Sequence, residues 1–358
     1  MRNSAMKLDT LNRSRRIPLA AAAALLLAAG SAAADAEHNW KMTSAWSGGP
    51  LHEIAAKGFA RHVERLTDGR IRVEVFPAGT LGESFKVTET VRNGIAQVGH
   101  HWPGYDWGKD TTAVVFGGFA GSMDSERMLH WIYEGGGIDI WRQWRREKFG
   151  VVGLPCGMRT AEAFLHSRKA VRTLDDLKGL KLRTAGAWQE ISKNLGAAPV
   201  SLPGGEVFTS LERGAIDATE WGTLYENMTP GFHKIAKYVV IPGIHQPSAP
   251  FECIIGSRAW DALSARDREL VELAAKMTTV DFWMKVGHED AKALEFYQNA
   301  GNEIIELDED VQKQAKMMAD EWAATQAAKN DWFRKVWAQQ SEYEALWKNA
   351  ARYRNIKR

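Results

Sequence analysis

Twice along this chain an extended run is followed by a helical run and then by another extended run, and this alternation constrains the fold more than any other feature. From Trp40 the segment WKMTSAW alternates apolar and polar side chains, as a half-buried strand does. A Gly-Gly-Pro break leads to a helical stretch from Leu51 to Thr67, with Ile54, Ala55, Phe59, His62, Val63 and Leu66 on one stripe. Gly69 closes that helix, and RIRVEVFP is the next strand, stopped by Pro77. Ser84 to Asn93 is a second helix, closed at Gly94, and IAQVGHHW a third strand. The same order restarts near Gly150: VVGLPCGM and GLKLRT as strands, a helix from Trp188, the strand VSLP, a helix from Glu206 to Arg213, and a short strand from Ala215 to Trp221. Two such rounds predict an α/β protein of two lobes, its sheets mixed but with a large parallel part.

The rest of the chain sets the boundaries of that picture. Arg13, Arg15 and Arg16 precede an apolar run from Leu19 to Ala29, which ends in Ala34-Asp35-Ala36. A run of that length is too short for the ~20 residues that span a bilayer, and its flanks are those of a secretory leader cut before Glu37. Ser14-Arg15-Arg16 partly matches a twin-arginine export signal, so both that route and ordinary secretion to the periplasm stand. The remaining ~320 residues exceed one simple core. The expected division is 37–156 with about 247–300 for the first lobe, 157–246 with about 301–310 for the second, and a helical region over 311–358. Chain crossings are expected at Pro155–Gly157 and Gln246–Pro250, where Pro and Gly punctuate the sequence.

The net charge of +2 includes the basic leader, so the secreted part is near neutral, and nothing in it calls for nucleic acid or a membrane surface. Two cysteines, Cys156 and Cys253, do not make a disulfide scaffold; the plainer reading is two small buried hydrophobes, and whether they pair is left open by the sequence. From Val311 to Arg352 the apolar positions Trp322, Trp332, Phe333, Trp337, Tyr343, Leu346 and Trp347 follow a helical period. Such a face has to be buried, either on its own lobes or on another subunit.

Few residues carry chemistry. In LDDLKGLKLRTAG, Arg183 stands at the end of a strand, just before a Gly turn and a helix. In an open α/β sheet that edge faces the ligand crevice, and a guanidinium fork matches a carboxylate at two points. A salt bridge to a nearby Asp is the plainer reading. Glu220-Trp221 emerges from the next strand end, and a buried carboxylate there needs a cation or a basic partner such as Arg159 or Arg183. Arg159 and Glu162 lie close to the expected lobe boundary and can face either the cleft or solvent. Trp46, Trp102 and Tyr105 follow strand ends and can wall a ligand, although most of the fifteen tryptophans will be packing residues. His100 and His101 are neighbours on a strand and point to opposite faces, which argues against joint metal ligation. No G-x-S-x-G, H-E-x-x-H, P-loop or G-x-G-x-x-G signature gives a positive reason to expect catalysis.

Taken together, WKMTSAW, FPAGTLG, LDDLKGLKLR and LERGAIDATEW resemble the extracytoplasmic solute receptors of tripartite ATP-independent periplasmic (TRAP) transporters, over essentially the whole chain after the leader. The E-W pair, the preceding P-G-G-E and the long C-terminal helical region look most like the subgroup that binds 2-oxo acids. The resemblance implies a type II periplasmic-binding-protein fold that closes on a small organic acid and delivers it to membrane permease subunits. It maps the carboxylate-clamping arginine onto Arg183. It also implies a sodium or calcium ion against the ligand, held by Glu220 and Trp221 and by a residue near Gln246, and a homodimer that exchanges the C-terminal helix. Where the subgroup tends to have Gln, Glu162 is the nearest counterpart. That departure, with the extra Arg159, leaves room for an aromatic acid, a dicarboxylate or a sulfonate as ligand. A periplasmic enzyme on organic acids, with Glu220 or Glu162 as base, and a ligand-sensing subunit are the rival functions.

Overall fold

The structure, a computed structural model, describes residues 36–354; the expected leader, apart from its last residue, lies outside the described residues. The strands are β1 (His38–Ser44), β2 (Ile71–Phe76), β3 (Val98–His101), β4 (Val151–Arg159), β5 (Leu165–Ser167), β6 (Lys181–Arg183), β7 (Ala198–Val200), β8 (Ala218–Thr219), β9 (Tyr238–Ile241), β10 (Ala249–Gly256) and β11 (Glu303–Glu306). They form two sheets, one in the order β2-β1-β3-β10-β4 and one in the order β11-β9-β5-β8-β6-β7. Both sheets are mixed, because β10 runs antiparallel between β3 and β4, and β5 runs antiparallel between β8 and β9. The helices that position the site are α1 (Lys57–Leu66), α2 (Ser125–Glu134), α3 (Gly137–Phe149), α4 (Ala187–Asn194), α5 (Val207–Glu212), α6 (Ala265–Asn299), α7 (Glu309–Ala327) and α8 (Asp331–Arg354).

The expected crossing at Pro155–Gly157 falls inside β4, which stays in the first sheet to Arg159. The register there passes from Gly157 opposite Phe251 to Pro155 opposite Glu252, so Cys156 is the extra residue of a bulge. A proline has no N–H for the ladder and is tolerated at bulges and on edge strands. β4 is the edge of its sheet, so here the punctuation marks a bulge, and the chain leaves for the second sheet through 160–164. It returns between β9 and β10, through 242–248, beside the second expected crossing.

Cys156 and Cys253, whose pairing the sequence left open and whose plainer reading was two separate thiols, are joined in a disulfide with their Cα atoms 5.4 Å apart. Strand pairing brings together two residues separated by 97 positions, a proximity that spacing along the chain does not reveal.

α6 passes between the lobes a third time. At 1.5 Å per residue, its 35 residues span about 52 Å. Val271, Ala274, Ala275 and Phe282 are buried along its first half, and Tyr297 near its end donates to the Leu224 carbonyl at 2.8 Å. The C-terminal helices lie back on their own chain. On α7, Trp322 donates from Nε1 to Glu190 of α4 at 2.7 Å and packs its ring against Phe119 at 5.9 Å, so one residue touches both halves. On α8, Trp332, Phe333 and Val336 are buried, and Gln340 donates to the Val115 carbonyl at 3.0 Å. The outer face of α8 leaves Leu346 and Tyr353 exposed.

Candidate functional site

The strand ends singled out in the sequence converge on a small, partly enclosed cavity of about 30 Å³ between the two sheets. From the first-sheet side come Trp46 after β1, Trp102 and Tyr105 after β3, and Phe251 on β10; from the second come Arg183 at the end of β6, Ala185, and Glu220-Trp221 after β8. Arg159, at the last position of β4, and Glu162 and Gln246, on the two loop crossings, complete the wall. The structure therefore brings all nine sequence-derived candidates into one wall. A space of that size holds about two or three water-sized groups, so anything larger than a very small acid requires the halves to part. A second hollow of about 460 Å³ adjoins it through Trp46 and Trp221 and is lined by 47–49 and 203–206 from opposite lobes, which makes it the mouth of the cleft. Another hollow, of about 690 Å³, lies between Glu37–Trp40 and Ser257–Ala259 on the first lobe alone and gathers none of these residues.

Gly186 explains why the turn after Arg183 has the sequence it does. Its φ of +63° is in the left-handed region, and an added Cβ would stand 2.6 Å from the Trp102 ring of the opposite lobe. A side chain there would be strained and would also hold the lobes apart.

Arg183 is 3% exposed. It donates from Nε and Nη2 to the Leu202 carbonyl at 3.1 and 3.0 Å, and from Nη1 to the Glu220 carbonyl at 2.9 Å and to Glu220 Oε1 at 3.4 Å. A guanidinium has five N–H donors, so four of Arg183's are committed within its own lobe and one remains for a ligand. The two-point grip read from the sequence is not on offer in this arrangement. Arg159 sits across the cavity. It donates to Glu162 at 2.5 Å, to the Trp221 carbonyl at 3.3 Å and to Glu226 at 3.2 Å, also pairs through Nε with Glu226, and lies 4.8 Å over the Phe251 ring.

Burial alone would raise the Glu162 carboxyl, but Arg159 and His245 outweigh it and hold the group below the usual carboxylate range. For Glu226 burial prevails over Arg159, and its carboxyl is pushed up.

Sequence reasoning missed Glu226, and it missed His245. The Gln246 side chain donates to the Gly117 carbonyl at 3.0 Å, whereas its neighbour His245 places Nε2 3.1 Å from Glu162 Oε2 and 3.9 Å from Glu220 Oε2. Glu162, Glu220 and His245 are all buried, and each offers one donor atom within 4.8 Å of the others. Two carboxylates suit the sodium or calcium that the resemblance implies, since those ions take oxygen donors; the imidazole adds a nitrogen donor beyond that set. The signal for His245 was its place beside Gln246 on a Pro- and Gly-flanked crossing.

The aromatic wall is braced from behind. Trp102 donates to the Gly117 carbonyl at 2.7 Å, and its ring meets Tyr105 edge-on at 5.3 Å. His100 packs 5.1 Å from Trp46, while His101 turns to the other face and pairs with Glu252 at 3.0 Å. There Arg145, fully buried, donates to Asp106 at 2.7 Å and to Glu252 at 3.1 Å, pinning the turn that carries Tyr105. Burial would raise the Asp106 carboxyl, but Arg145 overrides it and holds the group well below its ordinary value.

Residues 42–330 match the model of the bacterial extracellular solute-binding proteins, family 7. A monocarboxylate 2-oxoacid-binding periplasmic protein from Nostoc sp. is 27% identical over 305 residues, which cover 84% of this chain and 82% of that one. A TRAP transporter solute-binding protein from Bordetella bronchiseptica, a dimer with calcium and picolinate in one of its sites, superposes with a TM-score of 0.84 at 25% identity over 89% of this chain and 96% of its own. A TRAP periplasmic solute-binding protein from Pseudoalteromonas atlantica, holding sodium and pyruvate, gives 0.81 at 26% identity over 89% and 99%.

Proposed function

The chain belongs to the bacterial extracellular solute-binding proteins, family 7, and from that premise we propose that it captures a small organic acid in the cavity between its lobes and presents it to TRAP permease subunits. The family and fold are those of periplasmic binding proteins rather than of enzymes. The observation that carries the reading is the pair of buried guanidiniums, Arg183 and Arg159, facing one small cavity whose walls come from both lobes. Parting the lobes takes Trp46, Trp102 and Tyr105 away from Arg183, Glu220 and Trp221 and opens the cavity through its mouth. Closure then excludes water, which strengthens each polar contact.

Arg183 supplies one charge-assisted hydrogen bond from its uncommitted N–H, worth about 1.5–3 kcal/mol. A micromolar affinity requires about 8 kcal/mol, so further polar contacts and the aromatic walls have to supply the larger share. Glu162 and Glu220 are the residues that would hold a cation beside the acid, and its charge would offset the carboxylates that otherwise repel an anion. The 2-oxo acid relative and the pyruvate and picolinate complexes support a monocarboxylate that carries a second donor next to its carboxylate.

The test is calorimetry and thermal shift on the secreted form of the protein, refolded to remove carried-over ligand, with pyruvate and picolinate in the presence and absence of calcium or sodium. We expect stabilisation without turnover. Consumption of either acid by the purified protein would refute the binding-protein reading. Pairing of two copies through the outer face of α8, where Leu346 and Tyr353 are exposed, is a further part of the proposal and is read by light scattering.

A further inference from the structure

We propose that the group Glu162, Glu220 and His245 makes this site select a first-row divalent cation of the zinc class over calcium or sodium, and that the bound acid completes the coordination. The inference rests on the solute-capture reading and deepens it, because it concerns the same cavity.

The donor set carries the first step. Calcium and sodium are hard ions that surround themselves with oxygen, and calcium takes about six to eight such ligands. Here two carboxylates and one imidazole supply three donors, and imidazole suits zinc, copper, iron or nickel. Three protein donors with a position left open is the pattern of a zinc site that accepts a further ligand. Spacing supplies the second step. Bonds of about 2.0–2.1 Å at tetrahedral angles place ligand atoms about 3.4 Å apart. The His245 Nε2 to Glu162 Oε2 and Glu220 Oε2 distances, 3.1 and 3.9 Å, lie on either side of that value. Small side-chain shifts within ordinary contacts convert the group into a ligand set.

Charge supplies the third step. Arg159 and Arg183 pair with Glu162 and Glu220 in the wall and with Glu226 behind it, so this buried cluster carries one more carboxylate than guanidinium. A monoanion entering that wall would increase the imbalance, whereas a divalent cation entering with it removes the imbalance. The imidazole is also held in place, because its ring packs against Phe164 at 5.7 Å and Trp188 at 6.3 Å, which limits its rotation, and His245 is 2% exposed. Glu162, Glu220 and Arg183 all line the cavity, so a carboxylate with an adjacent keto oxygen or ring nitrogen would chelate the ion from there while its charge meets Arg183.

The experiment uses zinc chloride and calcium chloride as probes on the chelator-treated secreted protein and on its His245→Gln variant, by calorimetry, with circular dichroism to confirm folding. We expect zinc to bind the parent at least about 100-fold more tightly than calcium. His245→Gln should weaken zinc about 100-fold or more, since loss of even an outer partner of a ligand costs about 10–100-fold, and should leave calcium within about threefold. X-ray absorption of the zinc-loaded parent should show one imidazole, and the variant none. Zinc affinity unaltered in the variant, or calcium as tight as zinc in the parent, overturns the inference. Pyruvate and picolinate titrated into zinc-loaded and metal-free protein separate the two readings. Binding of an acid together with an unresponsive His245→Gln leaves solute capture standing and removes zinc. Zinc bound through His245 with neither acid bound under any condition removes solute capture of such acids and leaves the metal site.

Discussion

Replacing Arg183 by Ala tests the anion site most directly, because the structure fixes how much of the guanidinium is left for a ligand. With four donors spent on Leu202 and Glu220, the variant loses one charge-assisted contact to the acid, about 1.5–3 kcal/mol, or roughly a 10- to 150-fold rise in Kd. A two-point clamp would double the energy and multiply the loss to between about 10² and 10⁴-fold. The same change strips the buried Glu220 carboxylate of its cation, and breaking a buried pair costs about 3–5 kcal/mol. The Ala185 N–H still donates to Glu220 at 2.9 Å, which favours the lower end, and at roughly 2 °C per kcal/mol for a chain of this size Tm should fall by about 6 °C. Arg183→Lys separates the two effects: its ammonium can still pair with Glu220 and recover most of the Tm, but it is a point charge and cannot replace the fork. Calorimetric titration with pyruvate and picolinate, beside scanning calorimetry of the same samples, reads both. Native affinity in a folded Arg183→Ala protein would refute the anion-site assignment, and a loss beyond about 1,000-fold would refute the one-contact geometry by requiring Arg183 to release Leu202 when the ligand is bound.

Acidification should weaken the fold well before the carboxylates titrate. His100 and His166, both fully buried, are driven down to about 3 by burial, so between that value and about 6.5 the native state binds fewer protons than the unfolded chain and stability falls as pH drops. Each group costs about 1.4 kcal/mol at one unit below 6.5, so urea titrations in chelator should show the pair removing roughly 2–3 kcal/mol between pH 7.5 and 5.5; an unchanged midpoint would contradict their buried, neutral state. Below the ordinary carboxylate range a second loss should follow, because Asp106, Glu162 and Glu252 are all held low in the fold. Converting both Cys156 and Cys253 to Ala should cost about 2–5 kcal/mol, given a closed loop of 97 residues, and equal urea midpoints for oxidised parent and variant would argue against the bond.

Much of the architecture could be read from local pattern because the forces involved are local. Period-two alternation in WKMTSAW and RIRVEVFP, helical stripes such as Leu51–Thr67, and Gly or Pro at their ends place most of the elements within a few residues of β1, β2, α1 and α5. What pattern missed were the short strands β5 and β9 and the antiparallel β10, whose identity depends on partners far away in sequence. The expected Pro155–Gly157 crossing failed for the same reason: proline punctuates a crossing and an edge bulge alike, and only the position of β4 in its sheet distinguishes them.

The site divides along the same line. Sequence alone placed Arg183 and Glu220-Trp221 at the crevice, where they line the cavity, because a charged residue at a strand's carboxyl end, beside a glycine turn, faces the crevice by the geometry of parallel sheets. It did not assign their partners. That Arg183 gives most of its donors to Leu202 and Glu220, that His245 rather than Gln246 meets the two glutamates, that Glu226 balances Arg159, and that Cys156 bonds Cys253 were decided by tertiary structure. Each depends on which groups from distant segments are buried together, and a buried charge takes its state from whatever neighbour offsets the loss of water.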